Sequence, residues 1–353
     1  LAMLRECLAA VLNQTYRDFK VIVVDNAGTD GTGEYVQSLG DARIQYINTG
    51  KNLGGAGGFH RGIKEAYIRG AKWVWVMDDD VIPRPDALQA LMDALKIVKP
   101  HKTSFLASCV YGPNGEAMNT PGVDLRSKNG YPFWYEYLDS GLVKLNAATF
   151  VSILINAAAI DKCGLPCSNF FIWGDDTEYT KRIYRNFGLA YLVGASKVVH
   201  ARANASNLSI FTETNPGRIA AYAYMIRNTL IYTREYAGEE AFRQKLALYE
   251  GDCAKLRDSD DIYKEQKIAA IRAGIKNYYR YDFELFRNRF DPFSEDKAAR
   301  AEAEREQREE RRVPAESLPW LPRKVRNAYR YWRRNGFKAT VRRFFCGRQA
   351  GGQ

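Results

Sequence analysis

WVWVMDDDVIPRP, residues 73–85, places three consecutive aspartates directly after an apolar run. The apolar run predicts a buried strand, and successive side chains of a strand point to opposite faces. Asp78 and Asp80 are therefore expected on one face and Asp79 on the other. Two carboxylates at the carboxyl end of a strand suit a divalent cation bound with a polyphosphate, because the cation relieves their repulsion. The alternative is a solvated turn in which Asp79 or Asp80 caps the next helix.

Strand and helix patterns alternate on both sides of this stretch. The β-branched runs in FKVIVVD, ARIQYIN and TSFLASCVYG predict three more strands, and amphipathic helices separate them. This alternation predicts an α/β fold with a mostly parallel sheet over residues 1–214. Over residues 215–293 the apolar period is helical, which predicts a helical appendage.

The end of the chain is dominated by charge. The 353 residues carry a net charge of +11, and no apolar window is long enough for a transmembrane helix. Residues 294–319 are rich in charge and predict a solvated helix or linker. Residues 320–353 interleave many cations with aromatic residues and hold no acid, a pattern typical of a membrane-surface helix. A solvated or packed helix, and a nucleic-acid-binding tail, are the alternatives.

Two Gly-containing motifs follow predicted strands. In VDNAGTDGT (24–32), Asp25 ends a buried strand, where its carboxylate can accept hydrogen bonds from a base or ribose; a plain turn is the alternative. In NLGGAGGFHRG (52–62), four glycines precede a helix, so the backbone can approach an anionic ligand closely. Arg61 is available for a phosphate or for a structural pair. The motif is neither a Walker sequence nor a dinucleotide fingerprint.

Two further motifs carry titratable groups. FIWGDDTEY (171–179) places Asp175 and Asp176 at a helix start behind aromatic residues, where a raised pKa suits a general base. Capping of the helix explains the same residues structurally. SKVVHA (196–201) ends an apolar strand with His200, which predicts either a ligand or a satisfied core histidine.

Taken in order, these motifs resemble the family 2 glycosyltransferases of the GT-A fold, inverting enzymes that use nucleotide-diphosphate sugars. The resemblance covers roughly residues 1–235. NLGGAGGFHRG, WVMDDD and the aspartate pair after IW look most like the bacterial galactofuranosyltransferases, with rhamnosyltransferases as relatives. YMIRNTLIY (224–232) is similar to an Arg-Asn helix often seen after the catalytic domain in this branch.

The resemblance implies a role for each motif. Asp78 and Asp80 would hold a divalent metal, Mn or Mg, with the donor diphosphate, and His200 would complete the metal shell. Asp176 would be the catalytic base, with Asp175 beside it. Trp173 would line the acceptor side. The residues assigned to donor binding are Asp25, on the uridine, together with Asn26, Asn52, Gly54, Gly55, Arg61 and Asp79.

The resemblance also implies a function and a location. We expect transfer of a sugar, galactofuranose from UDP-galactofuranose, to a glycan or lipid-linked glycan. The alternatives are a rhamnosyltransferase that uses dTDP-rhamnose, or a nucleotide-sugar-binding module without turnover. The expected location is cytoplasmic, peripheral on the inner face of the cell membrane, with no nucleic-acid partner. The resemblance implies that the family begins with a nucleotide-binding strand, and we expect this sequence to start after it.

Overall fold

The computed structural model describes residues 1–202 and 208–293. The strands, in chain order, are β1 (Val21–Asp25), β2 (Ile44–Asn48), β3 (Trp73–Val76), β4 (Val81–Pro83), β5 (Thr103–Tyr111), β6 (Gly122–Val123), β7 (Ser127–Lys128), β8 (Tyr131–Pro132), β9 (Leu142–Ala147), β10 (Ile153–Asn156) and β11 (Leu189–His200). The helices are α1 (Ala2–Leu12), α2 (Thr32–Ser38), α3 (Gly54–Ile68), α4 (Ala87–Ile97), α5 (Ala157–Cys163), α6 (Asp175–Asn186), α7 (Pro216–Arg257), α8 (Lys264–Tyr279) and α9 (Phe283–Arg287).

The main sheet has the order β3-β10-β5-β11-β9-β6, with β4 paired to β11, while β1 and β2 form a separate parallel pair. The α/β class is confirmed, but the prediction of a mostly parallel sheet is wrong. In the described sheets only β1·β2 and β5·β11 are parallel. Parallel neighbours need a crossover, usually a helix. The chain between β5 and β10 contains no α-helix, and β10 runs antiparallel to both β3 and β5.

Alternating side chains of the main sheet face two apolar layers. Phe105 and Ile153 pack with Ile63 of α3 on one side. The neighbouring Leu106 and Leu154 pack with α4 on the other side. Helices cover both faces because each strand is apolar on both. This arrangement holds the ends of β3 and β11 in place, where the predicted site residues begin.

The three aspartates lie in a turn rather than in a strand. β3 ends at Val76, and β4 begins at Val81. The expected strand alternation through residues 78–80 is therefore wrong. Because β4 is held against β11 in the register Val81↔His200, the chain must leave β3 sharply, and the acids occupy the bend.

The prediction of a helical C-terminal region is confirmed, and its bounds of 215–293 stay a prediction. α7 is interrupted at Gly238, where φ is 90°, and α8 packs against it. The predicted boundary between residues 214 and 215 falls just before Pro216, the first residue of α7. The described residues belong to one compact unit.

The glycines of NLGGAGGFHRG lie within a helix, not in a loop before it. α3 begins at Gly54, and the four glycines belong to its first turns. An added Cβ on Gly57 would come within 2.4 Å of Leu53 Cβ, and one on Gly58 within 3.2 Å of Asn26 Nδ2. Gly57 thus leaves room for the Leu53 side chain at the start of the helix, and Gly58 lets the helix approach the end of β1 closely. The prediction of a ligand-binding loop did not include this packing role.

Some predictions fall outside the described residues. The charged linker 294–319 and the basic tail 320–353 belong to this group. Among the residues that the structure does describe, no helix is both long and apolar enough to cross a bilayer.

Candidate active site

The pairing of β4 with β11 brings three predicted metal ligands together. The ligand atoms of Asp78, Asp80 and His200 all lie within 4.8 Å of one another. The backbone supports the arrangement, since Ala201 N donates to Asp80 O at 2.8 Å. Asp79 is exposed and is not part of this group. The turn therefore separates the middle acid from its neighbours, as predicted, although by a bend instead of strand alternation.

Asn119 orients the imidazole of His200. Its Oδ1 lies 2.9 Å from His200 Nδ1, which places the proton of a neutral ring on Nδ1. Nε2 then presents a lone pair toward Asp80 Oδ1, 3.1 Å away. Asp80 Oδ1 is buried and receives no well-aligned hydrogen bond from the described residues. Two facing acceptors at this distance repel unless a cation or proton lies between them.

These donors fit a hard divalent cation. Two carboxylates and one imidazole suit Mn²⁺, and the carboxylates alone suit Mg²⁺. Without a cation, partial burial and the charge of Asp80 raise the pKa of Asp78 to about 7. A bound cation would lower this pKa again, because it favours the charged form of both carboxylates.

The aspartate pair begins α6 beside this group. Gly174 precedes it with φ 92°, so the chain turns directly into the helix. Asp175 is buried, and burial followed by the charge of Asp176 raises its pKa. Burial likewise raises the pKa of Asp176, whose Oδ1 accepts from Thr177 N at 2.5 Å. The charge of Asp176 also helps raise the pKa of Asp78, so the two acid groups are within electrostatic reach.

The end of β1 is held by its own polar side chains. Asp25 accepts from Gly28 N at 2.7 Å and from Tyr46 Oη at 2.6 Å. Asn26 donates to Gly54 O at 2.8 Å, while its buried Oδ1 has no partner among the described residues. An unpartnered buried carbonyl oxygen next to the glycines of α3 is consistent with the donor-binding role predicted for Asn26.

The remaining donor-side predictions surround the start of α3. Asn52 Oδ1 accepts from Gly54 N at 2.8 Å and so shapes the turn into the helix. An added Cβ on Gly54 would lie 2.1 Å from Phe171 O, whereas Gly55 faces open space. Arg61 is half exposed, and its Nη2 lies 3.7 Å from Glu65 Oε2 on the same helix. This ion pair is the structural alternative for Arg61. The role of Arg61 in donor binding stays a prediction.

Trp173 lies against the helical region. Its ring centroid is 5.1 Å from that of Tyr222, and the Arg218 guanidinium lies 5.8 Å from it. The ring thus connects the residues before the aspartate pair with α7. Its placement on the acceptor side stays a prediction.

Sequence reasoning missed two groups of residues around the site. No sequence pattern marks Asn119, and its φ of 46° is rare for a non-glycine residue. Arg227 and Asn228 belong to YMIRNTLIY, a motif to which the resemblance assigns no role. They donate hydrogen bonds to the segment that leads into Asp175.

Comparison with known proteins agrees with the predicted family. Residues 1–123 match the Glycosyl transferase family 2 domain. The galactofuranosyltransferase GlfT1 of Mycolicibacterium smegmatis is 29% identical over 189 residues, which are 52% of this chain and 62% of that protein. GlfT1 of Mycobacterium tuberculosis is 29% identical over 197 residues, 52% of this chain and 60% of its own.

A rhamnosyltransferase is also similar. The N-acetylglucosaminyl-diphospho-decaprenol L-rhamnosyltransferase of Mycobacterium tuberculosis is 25% identical over 228 residues, 58% of this chain and 73% of that protein. The chain thus spans about 60% of the length of the galactofuranosyltransferases that it matches. The family match, with the α/β sheet and the helical C-terminal region, confirms the predicted GT-A fold class.

Proposed function

Because this chain carries a family 2 glycosyltransferase domain similar to the galactofuranosyltransferases, we propose that it is a metal-dependent inverting glycosyltransferase. The substrates would be a nucleotide-diphosphate sugar and a glycan or lipid-linked glycan. The observation that carries the proposal is the meeting of Asp78, Asp80 and His200 within electrostatic reach of the Asp175–Asp176 pair, of which Asp175 is buried. The Asp78, Asp80 and His200 group suits a cation that binds a diphosphate, and the aspartate pair suits a general base.

The residues divide the chemistry between them. Asp176 would accept the proton of an acceptor hydroxyl while that oxygen bonds to the anomeric carbon and the bond to the diphosphate breaks. Its raised pKa makes it a better proton acceptor than an ordinary carboxylate. A cation bound by Asp78, Asp80 and His200 would supply charge stabilisation to the departing diphosphate. Asp25, Asn26 and the start of α3 would hold the nucleotide side of the donor.

The proposed donor is UDP-galactofuranose, and dTDP-rhamnose is the second candidate. The similarity to the galactofuranosyltransferases favours the first, and the rhamnosyltransferase similarity supports the second. Release of nucleotide diphosphate from a panel of nucleotide sugars, with Mn²⁺ and acceptor glycans, distinguishes them. Use of dTDP-rhamnose alone would exclude the galactofuranose donor.

Replacement of the proposed base tests the mechanism. Asp176→Asn keeps the shape of the side chain but removes the proton acceptor, so we expect transfer to fall at least ~100-fold. Binding of UDP and Mn²⁺, measured by calorimetry, should stay within about threefold of the wild type, since Asp176 is not among the proposed ligands. Asp93→Asn, on the exposed face of α4, is the matched control and should transfer normally.

Two outcomes would count against this assignment. Full turnover of Asp176→Asn would remove Asp176 as the base. UDP binding without any transfer by the wild type, across the whole panel, would instead favour the binding module without turnover.

We further propose that the protein works at the cytoplasmic face of the membrane, near a lipid-linked acceptor. The support is the composition of residues 320–353, which are basic and aromatic and contain no acid.

A further inference from the structure

We propose that Arg227 and Asn228 of α7 are positioning residues for the aspartate pair, an inference that rests on the proposed function. They hold the segment 169–174, which leads directly into Asp175 and Asp176. The helical region would then be part of the catalytic apparatus, because it fixes where the base lies.

The segment has a backbone that would not hold its shape alone. Phe171 and Trp173 have φ values of 64° and 60°, and Gly174 has 92°. Non-glycine residues rarely adopt this left-handed region, and such conformations persist when surrounding contacts over-determine them. The contacts that do so here come mainly from α7.

Asn228 supplies three of these contacts with one amide group. Its side chain is fully buried, and Nδ2 lies 3.0 Å from Phe170 O, 3.2 Å from Ile172 O and 2.7 Å from Trp173 O. One amide group thus donates to carbonyl oxygens before and after Phe171, the first residue of the segment with a left-handed φ. No hydrophobic side chain of similar size could satisfy these buried oxygens.

Arg227 fixes the direction of that amide. Its Nε donates to Asn228 Oδ1 at 2.9 Å, so the Nδ2 group must face the carbonyls. Its Nη2 donates to Asn169 O at 2.9 Å and to Phe170 O at 3.0 Å. The planar guanidinium makes these bonds at fixed angles, which a lysine ammonium cannot reproduce.

The opposite side of the segment touches the proposed donor site. Phe171 O accepts from Ala56 N at 3.0 Å, at the start of α3, and Asn26 donates to the neighbouring Gly54 O. The segment is therefore held between α7 and the nucleotide-binding residues. If the hydrogen bonds from Arg227 and Asn228 are lost, we expect the base to be displaced relative to the donor.

The experiment compares Asn228→Ala with Asn186→Ala in the full chain. Asn186 also donates to one backbone carbonyl, Arg182 O at 2.8 Å, but at the far end of α6. For Asn228→Ala we expect kcat to fall ~100-fold, with the donor KM and the calorimetric Kd for UDP and Mn²⁺ within about threefold, because about 1 Å of misplacement can cost that much in rate. Asn186→Ala should keep the wild-type kcat.

A milder variant keeps the test decisive if Asn228→Ala does not fold. Arg227→Lys retains the charge but loses the planar guanidinium and its several N–H donors. We expect its kcat to fall at least ~10-fold with UDP binding retained. Folded Asn228→Ala or Arg227→Lys with wild-type kcat would overturn the positioning role. So would a parallel loss of UDP binding, which indicates general disruption. Absence of transfer by the wild type would reject the proposed function instead.

Discussion

At the candidate metal site, the orientation of His200 is set by single neighbouring residues. The imidazole has one nitrogen on Asn119 and the other toward Asp80, so its tautomer and its ring plane are both set by the protein. A hydrogen-bonded partner of this kind fixes the tautomer and the ring orientation of a histidine that binds a metal. Asn119 belongs to no predicted motif, and it holds a left-handed φ of 46° to reach the ring.

At this scale we predict that Asn119→Ala weakens Mn²⁺ binding by ~10–100-fold, because the imidazole loses the partner that orients it. Titration of the folded protein with Mn²⁺, followed by electron paramagnetic resonance, measures the change. Asn129→Ala is the matched control, since Asn129 also has a left-handed φ, 54°, in the turn between β7 and β8. Equal Mn²⁺ affinity for the two variants would show that Asn119 does not support the proposed metal site.

Among the elements, α3 begins with two glycines, Gly54 and Gly55, whose surroundings differ. Gly54 lies directly under the Phe171 carbonyl with φ 72°, so a side chain there meets both a collision and a strained backbone. Gly55, one residue later, is exposed with no atom near its Cβ position. Close approach between α3 and the segment 169–174, rather than ligand contact alone, explains the first of these glycines.

We predict that Gly54→Ala and Gly55→Ala change stability in opposite directions. Gly54→Ala should lower the free energy of unfolding by at least ~2 kcal/mol, because Phe171 O must move and φ is unfavourable for alanine. Gly55→Ala should raise it by up to ~1 kcal/mol, since alanine favours a helix. Urea unfolding followed by circular dichroism checks both values. A Gly54→Ala variant as stable as the wild type would contradict the packing argument.

Over the whole molecule, the positive charge is concentrated at one end. Residues 320–353 contain ten Lys and Arg and no acid, so the preceding 319 residues carry only +1 of the total +11. Attraction to an anionic surface would therefore come almost entirely from this tail, at about 1 kcal/mol for each cation near the surface. The rest of the chain is close to neutral and adds little.

We accordingly predict that the full chain sediments with vesicles of anionic phosphatidylglycerol and that a chain ending at Pro319 does not. Binding of the full chain should weaken as salt is raised, because the attraction is screened. Vesicles of neutral phosphatidylcholine are the control for non-electrostatic adsorption. Unchanged sedimentation after truncation would exclude the tail as the membrane-binding segment, and tight salt-sensitive binding to duplex DNA would support the nucleic-acid alternative.

Local patterns predicted most of the elements near the site. The apolar runs before Asp25 and Asp78 are strands, and FIWGDDTEY leads into a helix that begins at Asp175. These predictions succeed because strand and helix periods, and the acids in a first helical turn, are properties of neighbouring residues. The sheet direction was wrong because β10 enters between β3 and β5, and no local pattern records which strands pair.

The sequence by itself determined which residue types stand in each motif, the order of the motifs and the resemblance to the family. Only the tertiary structure decided that Asp80 faces His200 across 120 residues of chain, that Asn119 orients the ring, and that Asn228 gathers the carbonyls before Asp175. The physical reason is that hydrogen bonds and ligand sets depend on distances of about 3 Å between remote segments. Such distances follow from strand register and helix packing, which are settled by the whole core at once.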